Sequence, residues 1–203
     1  MRIDKYRFCP DDIWDSNLTW FSNKPRFTKC FENTALVFPS CLLIILGIPW
    51  IFWISYTPQR FLKKNPSISW LYLCKISLNI VAIIVTVMGI YVDVNERQTL
   101  TWSDVLKYTL SLFNLTFALL LNALERHYGI TSSLVLFLFW PSVVVANFPA
   151  VLNNLQNYSK YNCLPFALEI LMFVLYSLLA FTNLISDLSI IYWSWDVFIV
   201  RAN

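Results

Sequence analysis

The chain has 203 residues and a mass of 23.8 kDa, a length that would suit one soluble domain. Its composition excludes that class, because apolar residues make up 58% and charged residues only 13%, against about 25% charged residues in a typical soluble domain. The mean hydropathy of +0.57 indicates a membrane protein instead. The net charge of +3 is small and no basic stripe is visible, so nucleic acid is not expected as a partner.

Five apolar stretches are each long enough to cross the hydrocarbon core as a helix, which takes about 20 residues. None of them alternates between polar and apolar residues as a transmembrane β-strand does. The predicted fold is therefore an all-α membrane protein, a five-helix transmembrane bundle in contact with the lipid bilayer. The five spans are predicted at residues 33–56, 70–92, 105–124, 132–152 and 165–185.

Prolines interrupt two of these spans. Pro39 and Pro49 lie in the first span, and Pro141 and Pro149 lie in the fourth. Such prolines occur both in simply bent transmembrane helices and in the broken helices of transporter sites. Because no pair of charged residues accompanies them, we expect bent helices rather than a substrate site.

The polar N-terminal segment, residues 1–32, predicts the orientation. It lacks the apolar run of a signal peptide, so the first span should be an uncleaved anchor. Basic residues flank that span on both sides and leave the orientation open by charge alone. Asn17-Leu18-Thr19 is a glycosylation sequon, and Cys9 and Cys30 are the only two cysteines of the segment, which suggests a disulfide in an oxidising compartment. We therefore expect an extracellular or lumenal cap.

Catalytic chemistry is sparse in this sequence. The glycines at 47, 89 and 129 cannot form a phosphate-binding loop, which needs two glycines five residues apart. The single histidine, His127, excludes a metal site built from histidines, and no C-x-x-C pair is present. No catalytic residue, metal or cofactor is predicted, although an enzyme using Glu125, His127 and Ser132 is kept as a third hypothesis.

We assign structural roles to the polar residues within the predicted spans. Near the span ends, charged side chains are expected to snorkel towards the interface; these are Lys75, Asp104, Lys107, Glu169 and Asp187. Deeper amides usually form hydrogen bonds between helices, at about 1 kcal/mol each. We therefore predict helix-packing roles for Asn79, Asn114 and Asn122, and the same reasoning applies to Asn147 and Asn183.

Two stretches carry a family resemblance. Residues 13–20 (IWDSNLTW) and 25–34 (PRFTKCFENT) resemble the N-terminus of the multidrug resistance-associated proteins, in the C subfamily of ABC transporters. Leu124-Glu125-Arg126, followed by Gly129, Ser132-Ser133, Phe139 and Trp140, is similar to the loop between the third and fourth N-terminal helices of that family. The resemblance spans about residues 7–187.

This resemblance implies the extra N-terminal transmembrane domain of the long family members, a five-helix unit whose N-terminus lies outside. It implies a Cys9–Cys30 disulfide and a glycan on Asn17. The implied division is a cap at 1–32, a bundle at 33–190 and a divergent cytosolic tail at 191–203. The family's translocation path and nucleotide-binding domains find no counterpart here, which leaves open a fragment, a splice form or a stand-alone protein.

The resulting hypothesis is an accessory domain of, or derived from, a multidrug-resistance-type ABC exporter. It would be catalytically silent alone and would act in trafficking, membrane retention and helix docking, with an ABC core or another membrane protein as partner. The amide-bearing faces of the second and third spans are the predicted contacts. The alternative is a stand-alone small membrane transporter or channel, which the absence of a charged pair within the membrane disfavours.

Overall fold

The computed structural model describes residues 2–3, 8–9, 12–21, 26–35, 37–56, 70–97, 99–128, 133–156 and 163–201. Its architecture confirms the predicted all-α membrane fold, since two strands of two residues each are the only other regular elements in these ranges. The elements are β1 Arg2–Ile3, α1 Ser16–Trp20, α2 Lys29–Thr34, α3 Phe38–Tyr56, α4 Trp70–Arg97, β2 Thr99–Leu100, α5 Trp102–His127, α6 Leu134–Gln156 and α7 Cys163–Arg201.

Four helices are long and apolar enough to cross a membrane, and they correspond to the second to fifth predicted spans. Their membrane-length segments are Trp70–Asn95, Trp102–His127, Leu134–Leu155 and Leu164–Ile185. The apolar part of α3, Cys41–Tyr56, is shorter. The predicted start of the first span was wrong: α2 ends at Thr34, and α3 begins at Phe38 instead of Asn33. The prolines are accommodated within helices, because α6 runs unbroken through both of its prolines.

The five long helices form a closed ring. α3 packs against α5 and α6, α4 packs against α5 and α7, and α6 packs against α7. Each helix therefore has two principal neighbours, in the order α3, α5, α4, α7, α6. Short α2 packs on α5, and its Asn33 contacts Asp104 near the start of that helix. We call this end of the ring the cap end and the opposite end the far end.

Apolar side chains fill the interior of the ring. Six of them have no exposed surface: Leu43, Ala82, Ala118, Leu121, Leu136 and Leu179. We call this set the plug. The outside of the ring is also apolar, with Tyr91 67%, Val145 71% and Phe181 57% exposed. Apolar residues on both the inner and outer faces are expected when the surrounding solvent is lipid.

Helix N-caps and contacts with the ring hold the N-terminal cap in place. Asp15 caps α1 by accepting from the Asn17 amide at 2.9 Å, and Thr28 caps α2 by accepting from the Phe31 amide at 3.3 Å. The Asn33 amide donates to the Asp104 carboxylate at 2.8 Å, in a buried contact between α2 and α5. β1 also pairs in parallel with β2. These bonds fix the N-terminal segment over one end of the ring.

Candidate functional site

A charged chamber separates the cap from the ring. Its volume is about 880 Å³, and it is bordered by α1, α2 and the cap ends of α4 to α7. Six carboxylates and three basic side chains line it, a formal excess of three negative charges. We call this space the vestibule.

Glu32 on α2 lies where the vestibule meets the interior of the ring. One carboxylate oxygen, Oε1, is buried and has no hydrogen-bond partner. Burial raises the pKa of Glu32 above its ordinary value of 4.5, while Lys107, Lys29 and a hydrogen bond with Asn153 act in the opposite direction. The carboxylate is thus partly desolvated, and the two lysines and the hydrogen bond offset only part of the cost of that desolvation.

The walls of the vestibule are tied together by side-chain hydrogen bonds between adjacent helices. The Tyr108 hydroxyl of α5 donates to the Asp93 carboxylate of α4. The Asn154 amide of α6 donates to the Glu169 carboxylate of α7. These bonds hold two carboxylates at the opening, one on α4 and one on α7.

Below Glu32 the vestibule leads into a smaller cavity inside the ring. Its volume is about 150 Å³, and its deeper walls are apolar, including Val85, Val143, Ala146 and Met172. From Asp93 to Val85 along α4 the cavity is about 12 Å deep at the helical rise of 1.5 Å per residue. Tyr176 forms part of its lining, stacks on Trp140 with ring centroids 6.0 Å apart and exchanges a 3.1 Å hydrogen bond with Ser111.

The predicted packing amides lie inside the bundle, and their side-chain N–H groups donate within their own helices. Asn79, Asn114 and Asn122 are 0%, 3% and 6% exposed. Each donates to the carbonyl four residues earlier in its own helix, at 3.2, 2.7 and 2.9 Å. The Oδ1 atoms of Asn79 and Asn114 are buried without a partner. Backbone carbonyls of the same helix are the usual local acceptors for such side-chain N–H groups, and the helix-packing role of Asn79, Asn114 and Asn122 stays a prediction.

Two charged side chains do not extend towards the membrane interface as predicted. Lys75 and Asp104 are only 5% and 6% exposed. Asp104 forms the capping box of α5 with Thr101 and accepts the hydrogen bond from Asn33. Lys107 and Glu169 line the vestibule instead of lying in isolation. The side chain of Asp187 is outside the described residues.

The far end carries a polar contact that the sequence did not suggest. The Trp50 indole donates to the Glu125 carboxylate at 2.7 Å, and Glu125 is 4% exposed. Tryptophan is common at membrane interfaces, and this indole also bonds within the bundle. His127 is exposed and contacts the Tyr128 ring edge-on, and Ser132 is outside the described residues.

The modification residues lie in the cap. Cys9 and Cys30 are joined by a disulfide, with Cα atoms 5.4 Å apart. Asn17 is exposed at the first turn of α1, while the hydroxyl of Thr19 donates to the Asp15 carbonyl at 2.8 Å. Glycosylation of Asn17 stays a prediction, as does the pairing of the cysteines in the mature protein.

Comparison with known proteins identifies the family. A family model described as the ABC transporter TMD0 domain matches residues 7–167, well over half of the chain. The chain belongs to this family. The match confirms the resemblance drawn from residues 13–34 and 124–140, and it makes the chain a transmembrane accessory domain of the ABC type, a class distinct from the catalytic ATPase domain.

Two curated relatives belong to subfamily C. ATP-binding cassette sub-family C member 3 of Mus musculus is 28% identical over 137 residues, and the protein of the same name from Rattus norvegicus is 27% identical over 137 residues. Each match covers 66% of this chain and 9% of the relative. The TMD0 chain thus spans a small part of the length of the relatives that it matches.

Proposed function

We propose that this TMD0 domain docks against the core of a multidrug-resistance-type ABC exporter and contributes to the trafficking and membrane retention of the assembly. The observation that carries the proposal is the family match over residues 7–167. The cap would lie on the extracellular or lumenal side, closed by the Cys9–Cys30 disulfide and glycosylated on Asn17. The bundle, predicted at residues 33–190, would begin with α3 at Phe38, and a cytosolic tail would follow at 191–203.

The docking face lies on the outside of the ring. The predicted amide faces of α4 and α5 point inward, since Asn79, Asn114 and Asn122 are buried, and they are therefore not offered again as contacts. The outer face of α4 instead carries apolar side chains at helical spacing, each at least 45% exposed: Leu73, Ile80, Ile84, Val87 and Tyr91. In a membrane, helices associate through close packing of such faces.

Docking can be tested by co-purification. The tagged chain would be co-expressed with a subfamily C transporter from which the region matching this chain has been deleted. We expect recovery of the transporter core with the tag. Ile84→Trp, which adds bulk to the α4 face, should lower recovery, whereas Val145→Trp on the exposed face of α6 should not. Failure of the unaltered chain to recover any core would overturn the proposal, and equal losses in both variants would remove α4 as the contact.

A stand-alone transporter or channel is the second candidate, favoured by the vestibule and the cavity below it. Against it stands the plug, whose six members have no exposed surface between the cavity and the far end. Purified chain reconstituted in vesicles should show no flux of ions or small solutes above empty vesicles. Flux that is abolished by Leu179→Trp would instead establish a conduction path through the ring.

A further inference from the structure

The N-terminal cap carries an exposed aromatic patch formed by Trp20 and Phe21. These side chains are 72% and 81% exposed. By contrast, Trp14 of the same segment packs against Phe27 and Phe31, with ring centroids 5.9 and 5.2 Å apart. The patch lies at the end of short α1, apart from the five long helices whose apolar outer faces suit lipid. Away from lipid, an exposed apolar patch commonly marks a contact surface.

The glycosylation sequon Asn17-Leu18-Thr19 lies in the same helical turn as the patch. Asn17 is exposed, and Trp20 and Phe21 follow it by three and four residues. The backbone N–H of Phe21 donates to the Asn17 carbonyl at 3.3 Å, so one turn joins the three residues. Side chains at this spacing are neighbours on a helix surface, and long side chains lean over the preceding turn. The attachment point of a glycan and the two rings therefore share one face of the cap.

An N-acetylglucosamine ring has the chemistry that this patch would recognise. The face of an aromatic ring carries partial negative charge. The C–H groups on one face of a pyranose carry partial positive charge, because their carbons are bonded to oxygen, and weak donors of this kind are attracted to such acceptors. A sugar stacked on Trp20 removes apolar surface of both partners from water, while its hydroxyl groups at the rim stay solvated.

The covalent link favours this sugar over a free ligand. A glycan on Asn17 is tethered within one helical turn of both rings, so its first sugar is present there at a high effective concentration. A free sugar or a partner protein would meet the same rings without that advantage. The occupant that the sequence itself supplies to this patch is therefore the glycan of its own sequon.

We propose that Trp20 and Phe21 form a platform for the first N-acetylglucosamine of an N-glycan on Asn17. The inference rests on the glycosylation proposed above and is separate from docking to an ABC core. The contact would cover the aromatic patch, and it would hold the glycan against the cap so that its attachment bond is shielded.

The test is the rate at which a peptide N-glycosidase releases the glycan from the folded chain, which is produced in glycosylating cells and held in lipid nanodiscs. A gel shift follows the release, and Asn17→Gln identifies the band that carries this glycan. We expect release about fivefold faster from Trp20→Leu than from the unaltered chain, because leucine keeps apolar bulk but has no π face. Trp20→Phe should stay close to the unaltered rate. Ile13→Ala, at a position that is 66% exposed but outside α1, is the control and should not change the rate.

A second measurement decides if the leucine variant opens the cap to protease. On the unaltered chain, the N-acetyl methyl proton signal of the first sugar should lie upfield of its position in the isolated glycopeptide, because an indole face shields protons above it. Absence of that shift, or equal release rates from Trp20→Leu and the unaltered chain, would overturn the platform. If Asn17→Gln removes no glycan, the predicted glycosylation fails together with this inference, whereas docking to a core is decided separately by co-purification.

Discussion

The cap end of the ring and the region of the plug are packed differently. At the cap end, helices α4 to α7 surround a vestibule lined by charged side chains and a cavity whose deeper walls are apolar. Further towards the far end, the helices pack through the plug, whose six aliphatic side chains have no exposed surface. The ring is therefore open where carboxylates and basic groups gather and closed where these aliphatic side chains pack against one another.

Helix α5 shows the cause of this difference. Residues three or four apart lie on one helical face, and the inner face of α5 changes character along its length. It carries Asp104, Tyr108 and Ser111 near the cap, then Leu115, Ala118 and Leu121 further along. Aliphatic side chains fill space without needing partners, whereas polar ones need hydrogen bonds or room for water. An opening at one end follows from that requirement.

The largest effect is expected from a cavity created in the plug. Leu179→Ala should destabilise the bundle by about 2–5 kcal/mol, because the neighbouring helices can only partly close the space left behind. Leu178→Ala, on the adjacent lipid-facing position with 43% exposure, should cost much less. Thermal unfolding in nanodiscs measures both. Equal losses of stability would show that the packing of the plug does not stabilise the ring more than the lipid-facing residues do.

The next effect concerns the cap. Cys30→Ser opens a loop with a sequence separation of 21 residues, which the chain-entropy model values at about 3 kcal/mol. Limited proteolysis should then cut the N-terminal segment rapidly while the helices remain protected. Cys41→Ser, at a thiol outside the disulfide, serves as the control. Finding Cys9 and Cys30 reduced in the mature protein would contradict both the pairing and the proposed outside location of the cap.

A smaller effect is expected at the far end. Trp50→Phe removes the indole donor to the buried Glu125 carboxylate at 2.7 Å, at a cost of about 2 kcal/mol. Trp70→Phe changes a tryptophan that is 78% exposed and should have little effect. The thermal midpoints of the two variants distinguish these roles. If both were equally stable, the Trp50–Glu125 hydrogen bond would contribute nothing measurable to stability.

The smallest effect is a pH dependence of the cap. Because burial raises the folded-state pKa of Glu32 above 4.5, the folded protein binds this proton more tightly than the unfolded chain does. The resulting stabilisation is fully present below pH 4.5 and is lost as the pH rises through the raised folded-state pKa. Glu32→Gln should remove that dependence, which thermal midpoints of the two proteins between pH 4 and pH 8 would reveal. A dependence of equal size in both proteins would assign it to other groups.

Prediction from the sequence succeeded where a single property, the length of an apolar run, determines the local structure. Runs of about 20 apolar residues predict transmembrane helices because no other structure satisfies the backbone in lipid. Four predicted spans accordingly correspond to membrane-length helices. The first span failed at its start because Asn33 belongs to α2, where its amide bonds to Asp104, 71 residues away. A window of local hydropathy contains no information about that distant partner.

The class of the protein, its family and its helices can be predicted from the sequence, since composition, apolar run length and short motifs are all local properties. The use of the polar residues depends instead on the tertiary structure. It brought Trp50 to Glu125, and it gathered Glu32, Asp93, Lys107 and Glu169 from four helices around one opening. The physical reason is that a polar side chain in lipid is satisfied by whichever partner the packing brings near, and the order of helices around the ring is set by contacts between residues far apart in the chain.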